Sequence, residues 1–291
     1  MKKDNYPLPR INELLDSLQD AQWFTTLDLA SGYWQIKVRA EDQKKTTFIT
    51  KFRTYEFKVM PFRLCNAPVT FQRTMDKVLH GIKEKFILVY FDDDIIYSKT
   101  FKDHIQHLEE VLNRIRKANL RLKAEKCHFA AAELQFLGHV VGKEGVKLDP
   151  EKVNKMVNYP EPQNIRELRG VLGLFFYYQC FIKDFAKVAD PMYKLLKMDA
   201  PYEWMNLQQK AFENLRDKLT TAPIIQYPDF SNSFFLYTDA STIGLGAVLA
   251  QKNDDQEHVI AYASRTLILA EKNYAITELE CLVIVWAVKY F

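Results

Sequence analysis

Residues 88–98 read LVYFDDDIIYS, and the fold turns on how this stretch is read. Leu88, Val89, Tyr90, Phe91, Ile95, Ile96 and Tyr97 favour extended structure, yet three consecutive aspartates interrupt them. Aspartate is depleted in strands, and adjacent carboxylates repel more strongly as water is withdrawn. A hairpin with the acids at its turn reconciles the two. Turn chemistry alone explains one or two aspartates. A third needs another reason, and Asp28 in TTLDLASGYWQ supplies a fourth acid behind a second apolar segment. If both segments share a sheet, Asp28, Asp92 and Asp93 meet at the strand ends. Carboxylates so placed raise one another's pKa unless a cation neutralises them. Magnesium favours a few carboxylates plus substrate phosphates, and two such ions about 3.5–4 Å apart serve phosphoryl transfer.

Outward from this hairpin, INELLDSLQD has apolar residues at helical spacing and WFTTL reads as a strand. KTTFITKFRTYEFKVMPF alternates as a hairpin. NAPVTFQRTMDKVLHGI is a helix with Asn66 near its start and Pro68 in the first turn. HIQHLEEVLNRIRKANL is an amphipathic helix, and LQFLGHVVGKEGVKLDP is a hairpin turning at GKEG. Strands and helices mix without strict alternation, which predicts an α+β domain. Boundaries are expected near LDPEKV at 148–153 and at TTAPIIQYPDFSNS; between them the chain reads as helical. Beyond the second, FFLYTDAS, GLGAVLAQ and HVIAYASRTL read as strands before a final helix, ITELECLVIVWAVKYF.

The 291 residues are 48% hydrophobic and 26% charged, a globular balance that excludes disorder. A net charge of +3 does not by itself indicate nucleic acid. Basic residues nevertheless cluster: Lys37, Arg39, Lys44, Lys45, Lys51, Arg53 and Lys58, then Arg114, Arg116, Lys117, Arg121, Lys123 and Lys126. Each cluster reads as a solvated face or as phosphate contacts. The four cysteines show no CxxC spacing, which disfavours zinc and disulfide frameworks and suits an intracellular compartment. MKKDNYPLPR is not a signal peptide, and CLVIVWAV is too short to span a bilayer. No membrane partner is expected.

The ordered string FTTLDLASGYWQI, TTFIT, YEFKVMPFRLCNAPVTFQRTMD, VYFDDDIIYS, HLEEVL, FLGHVV and GVKLDP resembles the reverse transcriptases of gypsy-type LTR retrotransposons. RELRGVLGLFFYYQCFI resembles their thumb and connecting helices. YTDASTIGLGAVLAQ, YASRTL and NYAITELECLVIVWAVKYF resemble the start of their RNase H domain. The resemblance implies a right-hand polymerase: palm and partial fingers over 1–149, helical thumb and connection over 150–222, and a truncated RNase H-like α/β module over 223–291. It implies an RNA-directed DNA polymerase using Mg²⁺ or Mn²⁺ on an RNA or DNA template-primer with dNTPs. The rival reading is an inactive remnant that at most binds nucleic acid.

Residue by residue, Asp28, Asp92 and Asp93 match the palm's metal ligands. Tyr33 matches the aromatic gate against ribose, with Phe62 and Arg63 beside the substrate. Leu137, Gly138 and His139 match the primer grip. Asp239 and Glu280 match nuclease ligands, with Glu278 the near alternative to Glu280. Asp94 departs from the family's apolar residue after the Asp-Asp pair; it is expected either beside Asp92 or in solvent. Arg63 replaces a glycine, where close backbone approach favours glycine and an arginine obstructs the site. The upstream fingers strands and the later RNase H ligands are expected to lie outside these 291 residues, leaving RNase H activity unlikely.

Overall fold

The protein is described by a computed structural model covering residues 3–197, 201–253 and 256–291. It comprises two compact units, 1–143 and 144–291.

The first unit runs α1 (Ile11–Asp16), β1 (Trp23–Leu27), a short α2 (Ala40–Gln43), β2 (Phe48–Ile49), β3 (Thr54–Tyr55) and α3 (Ala67–Val78). It continues through β4 (Ile87–Tyr90), β5 (Asp93–Ser98), α4 (Phe101–Lys117), β6 (His128–Ala131), β7 (Glu133–Phe136) and β8 (His139–Gly142). Its main sheet has the order β4-β5-β1-β6, with antiparallel neighbours throughout. β5 is therefore central, between β4 and β1. Its register puts Leu27 opposite Asp94 and Trp23 opposite Ser98.

Two helices cover one face of this sheet. On α4 the buried residues His104, Leu108, Val111 and Ile115 recur at helical spacing. Thr100 caps its start by accepting the Asp103 N–H at 3.1 Å. α3 contributes Phe71 and Met75, which join Leu27, Ile87, Val89 and Ile96, with Leu108, Val111 and Ile115 of α4, in one core. Side chains alternate along a strand, so Asp94, Ile96 and Ser98 face the helices while Asp93, Ile95 and Tyr97 face away. At the sheet edge β6 pairs with β1 irregularly, and Thr25 Oγ1 accepts the Ala130 N–H at 3.0 Å where the register shifts.

One expected hairpin is shortened and another gains a turn. β2 and β3 shrink to two residues each, their turn tied by Thr50, whose Oγ1 accepts the Phe52 and Arg53 N–H groups. The segment LQFLGHVVGKEGVKLDP reverses at GKEG as expected, with Lys143 and Glu144 forming the turn between the extended stretches His139–Gly142 and Gly145–Leu148. It also reverses once earlier, where Phe136 pairs with His139 around Leu137 (φ 48°) and Gly138 (φ 73°). Two central residues with positive φ make the turn that matches strand twist.

The second unit runs β9 (Gly145–Leu148), α5 (Pro150–Val157), α6 (Ile165–Tyr177), α7 (Phe185–Lys194) and α8 (Asn206–Thr220). It continues through β10 (Phe234–Ala240), β11 (Gly244–Asn253), β12 (Gln256–Thr266) and α9 (Ile276–Tyr290). Asp149 accepts the Glu151 N–H at 2.9 Å and Pro150 opens α5, so LDPEKV starts a helix. β10-β11-β12 form an antiparallel sheet. Leu245 and Leu267 pack with Leu279 and Val283 of α9, and Ala247 and Ala263 pack with Ala287. No helix among the described residues is long and apolar enough to cross a membrane.

Candidate active site

The β4–β5 hairpin closes on two residues, because Tyr90 pairs with Asp93 across Phe91 and Asp92. Phe91 takes φ 54° at the first central position, a conformation that glycine adopts more easily. Gln72, fully buried on α3, holds it there. Its Oε1 accepts the Phe91 N–H at 2.8 Å, and its Nε2 donates to the Val89 carbonyl at 3.2 Å. Asp92 thus sits on the turn and Asp93 on the first rung of β5.

Asp28 follows β1 directly. With Leu27 opposite Asp94, one more residue along each strand brings Asp28 across from Asp93, on the face away from the helices. Their charges interact. Loss of surrounding water, then repulsion from Asp93 and Asp28, push Asp92 above the ordinary carboxylate value, while Lys126 opposes the rise. Asp93 is raised by loss of water and then by Asp28, again against Lys126. Lys126 Nζ lies 3.1 Å from Asp28 Oδ2.

That lysine arrives from the second basic segment, whose helix stops at Lys117. The chain then runs back along the end of β1: Leu122 bridges Leu29, the Ala30 N–H donates to the Arg121 carbonyl at 2.9 Å, and the Lys123 N–H to the Asp28 carbonyl at 2.8 Å. Arg114 is engaged with Glu110 and the His80 carbonyl. Arg114 and Lys126 are thereby engaged within the unit, while Arg116, Lys117, Arg121 and Lys123 are exposed.

Of the two places expected for Asp94, the structure excludes solvent. The residue is fully buried, and neither carboxyl oxygen has a hydrogen-bond partner. Burial first, then Asp92, Asp93 and Asp76, push its pKa well above the ordinary 3.8. Asp76 stays ionised; against desolvation, hydrogen bonds from Lys83, Tyr6 and Gln72 hold its carboxyl low. A central strand covered on the helix side left Asp94 no solvent to face.

Tyr33 stands beside Asp92, whose charge, after burial, raises the phenol's pKa. Its ring centroid is 5.4 Å from Phe62 and 5.3 Å from Phe71. Gly32 permits this approach: a Cβ there would lie 2.8 Å from the buried Phe71 ring and 3.3 Å from Asp92 Oδ1. Arg63 has φ 69°, which explains why glycine is expected at its position, and its side chain is exposed. Leu137, Gly138 and His139 form the tip of the β7–β8 hairpin, where the His139 Nδ1–H donates to the Leu137 carbonyl at 2.8 Å.

In the second unit, Asp239 pairs with Gly246, whose Cβ direction points at Asp184, while Leu236 and Ala240 face α9. Asp239 therefore lies on the face away from the helix that carries Glu280, and both acids are exposed. Glu278 is a helix cap, accepting the Ala275 N–H at 2.7 Å. Among the described residues, no group of three His, Cys, Asp or Glu side chains is arranged to hold a metal ion.

Gln72, Gly32 and Lys126 were not singled out by sequence. The distance from Gln72 to Phe91 along the chain hides its role, although a glutamine on a buried helix face is itself a signal that a backbone group needs a partner.

Residues 1–141 match the family model described as reverse transcriptase (RNA-dependent DNA polymerase), and residues 204–291 match that of the RNase H-like domain found in reverse transcriptase. The chain is 44% identical over 289 residues to the retrovirus-related Pol polyprotein from transposon 297 of Drosophila melanogaster, covering 99% of this chain and 27% of the relative. It is 43% identical to that from transposon gypsy of the same fly, covering 98% and 28%. The transposon Tf2-3 polyprotein of Schizosaccharomyces pombe is 35% identical, covering 100% and 22%. The chain therefore spans about a quarter of the length of these relatives. The fold matches a foamy viral protease-reverse transcriptase in complex with double-stranded DNA, with TM-score 0.88, 22% identity and coverage of 100% of this chain and 51% of that one. A second foamy viral structure, in complex with an RNA/DNA hybrid, matches with TM-score 0.84 and 22% identity over 99% of this chain and 39% of that one.

Proposed function

Since residues 1–141 belong to the reverse transcriptases and residues 204–291 to the RNase H-like domains found with them, in a chain related to gypsy-type Pol polyproteins, we propose that the first unit extends a DNA primer on an RNA or DNA template. One observation carries this reading: Asp28, Asp92 and Asp93 share the end of two neighbouring strands and are electrostatically coupled. Their donor chemistry fits magnesium or manganese, which take carboxylate oxygens. Convergence on an ion requires Asp28 to turn from Lys126. When bound, such ions would neutralise charge as the primer 3′-hydroxyl displaces pyrophosphate from the dNTP α-phosphate.

The remaining roles belong to the protein's own groups. Tyr33, held beside Asp92 by Gly32 and Phe71, packs against the dNTP sugar and excludes a 2′-hydroxyl. Phe62 backs that ring, and the Arg63 loop flanks the nucleotide. The Leu137-Gly138-His139 turn supports the primer backbone. We assign residues 1–149 to palm and partial fingers, 150–222 to thumb and connection, and 223–291 to the RNase H-like module. Asp239 and Glu280 are its proposed ligands; as Asp239 faces away from the helix that carries Glu280, and no group of three such donors is present among the described residues, cleavage of the RNA strand by this chain alone is not expected. Nucleic acid accompanies the foamy viral neighbours, which supports a template-primer partner here.

The test is primer extension by the 291-residue chain on poly(rA)/oligo(dT) with Mg²⁺. Synthesis should be lost in Asp92→Asn and Asp93→Asn. Absence of synthesis in the parent chain, or its survival in both variants, overturns the proposal.

A further inference from the structure

We propose that Lys126 is a built-in counter-cation that stands in for a divalent ion at the ends of β1 and β5, and that an ion loads only as this side chain leaves Asp28. The inference rests on the metal-dependent reading above and goes beyond it by naming what the ion must displace.

Lys126 Nζ lies 3.1 Å from Asp28 Oδ2, and the same ammonium is the positive charge acting on both Asp92 and Asp93. Its delivery is built into the backbone. The Lys123 N–H donates to the Asp28 carbonyl at 2.8 Å, the Lys126 N–H to the Lys123 carbonyl at 2.9 Å, and the Asp28 N–H to Cys127 Sγ at 3.5 Å. Asp28 and the turn around Ala124–Lys126 are thus laced together on both sides of the lysine.

The side chain itself is loosely held, being 57% exposed. A partly exposed ion pair is weak, so Lys126 can withdraw without disturbing the sheet. While it remains, two things oppose a second cation: Asp28 is directed to the ammonium, and the ammonium repels a dication placed beside it. The absence, among the described residues, of three donors gathered round one point agrees with this resting arrangement. The device prevents the carboxylates from splaying apart when no ion is present, at the expense of affinity when one is.

The experiment is a Mn²⁺ titration of the full chain at fixed pH and ionic strength, with free Mn²⁺ read by electron paramagnetic resonance, so that activity is not the readout. Lys126→Met should bind Mn²⁺ about two- to fivefold more tightly than the parent, the range expected from releasing a partly exposed pair. Lys126→Arg keeps the charge and should bind no more tightly than the parent. Lys126→Gln serves as a second neutral variant should the methionine protein fail to fold. Neutral variants that bind equally or more weakly overturn the role of Lys126. The underlying reading fails separately: in that case Asp28→Asn/Asp92→Asn binds Mn²⁺ as well as the parent.

Discussion

Replacing Asp94 by leucine should stabilise the first unit, and more so at pH 7 than at pH 4.5. The residue is fully buried with both carboxyl oxygens unpartnered, and an unsatisfied buried polar group costs about 1–3 kcal/mol. Leucine removes both polar atoms but adds volume under α3, and overpacking costs about 1–3 kcal/mol. Burying the new apolar side chain returns about 1.5–3 kcal/mol. Taking the middle of each range, the net expectation is a gain of about 2 kcal/mol, or about 6 °C in Tm for a domain of this size. The pH dependence has a definite sign. The folded-state pKa lies well above the unfolded 3.8, so the native state binds the proton more tightly. Stability is fully present below 3.8 and is lost as pH rises toward the folded value, by at most about 1.4 kcal/mol per pH unit. The assay is urea unfolding from pH 4.5 to 7 of the parent, Asp94→Leu and Asp94→Asn. Asparagine should flatten the pH dependence with a smaller gain, since its polar atoms stay buried. A leucine variant less stable than the parent at pH 7, or a stability gap that does not grow with pH, refutes the reasoning.

Arg63→Gly should gain about 1 kcal/mol, because the φ of 69° is strained for any residue with a Cβ; unfolding midpoints measure it, and a loss of stability contradicts it. Gly32→Ala should cost about 1–3 kcal/mol, since its Cβ would press on the buried Phe71 ring at 2.8 Å, and displacement of Tyr33 should weaken discrimination between dNTP and rNTP in primer extension. His104 is fully buried between Thr25 Oγ1 at 2.8 Å and Ser98 Oγ at 2.9 Å. Burial, then the neighbouring His107, hold its pKa below the ordinary 6.5. Stability from this group is present above 6.5 and lost as pH falls through the lowered value. Urea unfolding between pH 5 and 7 in the Asp94→Leu background should show that decline, and His104→Asn should flatten it.

The strands and helices of the first unit were legible where one side faces water. α4 announces itself because apolar residues at helical spacing stand among charges, and the hairpin through 88–98 because turn-forming aspartates split a strand-forming run. Asp94 was not legible for a related reason. β5 lies between two strands and is buried from its second residue onward, so no alternation of polar and apolar residues tells one face from the other. The turn at Leu137-Gly138 was hidden by GKEG, a richer turn sequence six residues further on. Gly32 gave no signal of its purpose, because that purpose depends on Phe71 and Asp92 arriving from two other segments. Lys126 looked like one more charge in a basic stretch; only the return of the chain along β1 brings it to Asp28.

The pairing of Leu27 with Asp94 has a consequence for which sequence changes this unit can survive. One residue inserted within β1 would exchange the strand's two faces, sending Asp28 toward the helices and Leu27 outward. Two inserted residues would restore the pleat and only lengthen the strand. Tolerance to insertion between Trp23 and Asp28 should therefore follow odd and even number rather than length, a parity rule that drifting copies of such a gene would carry as a record of whether the chemistry was still under selection.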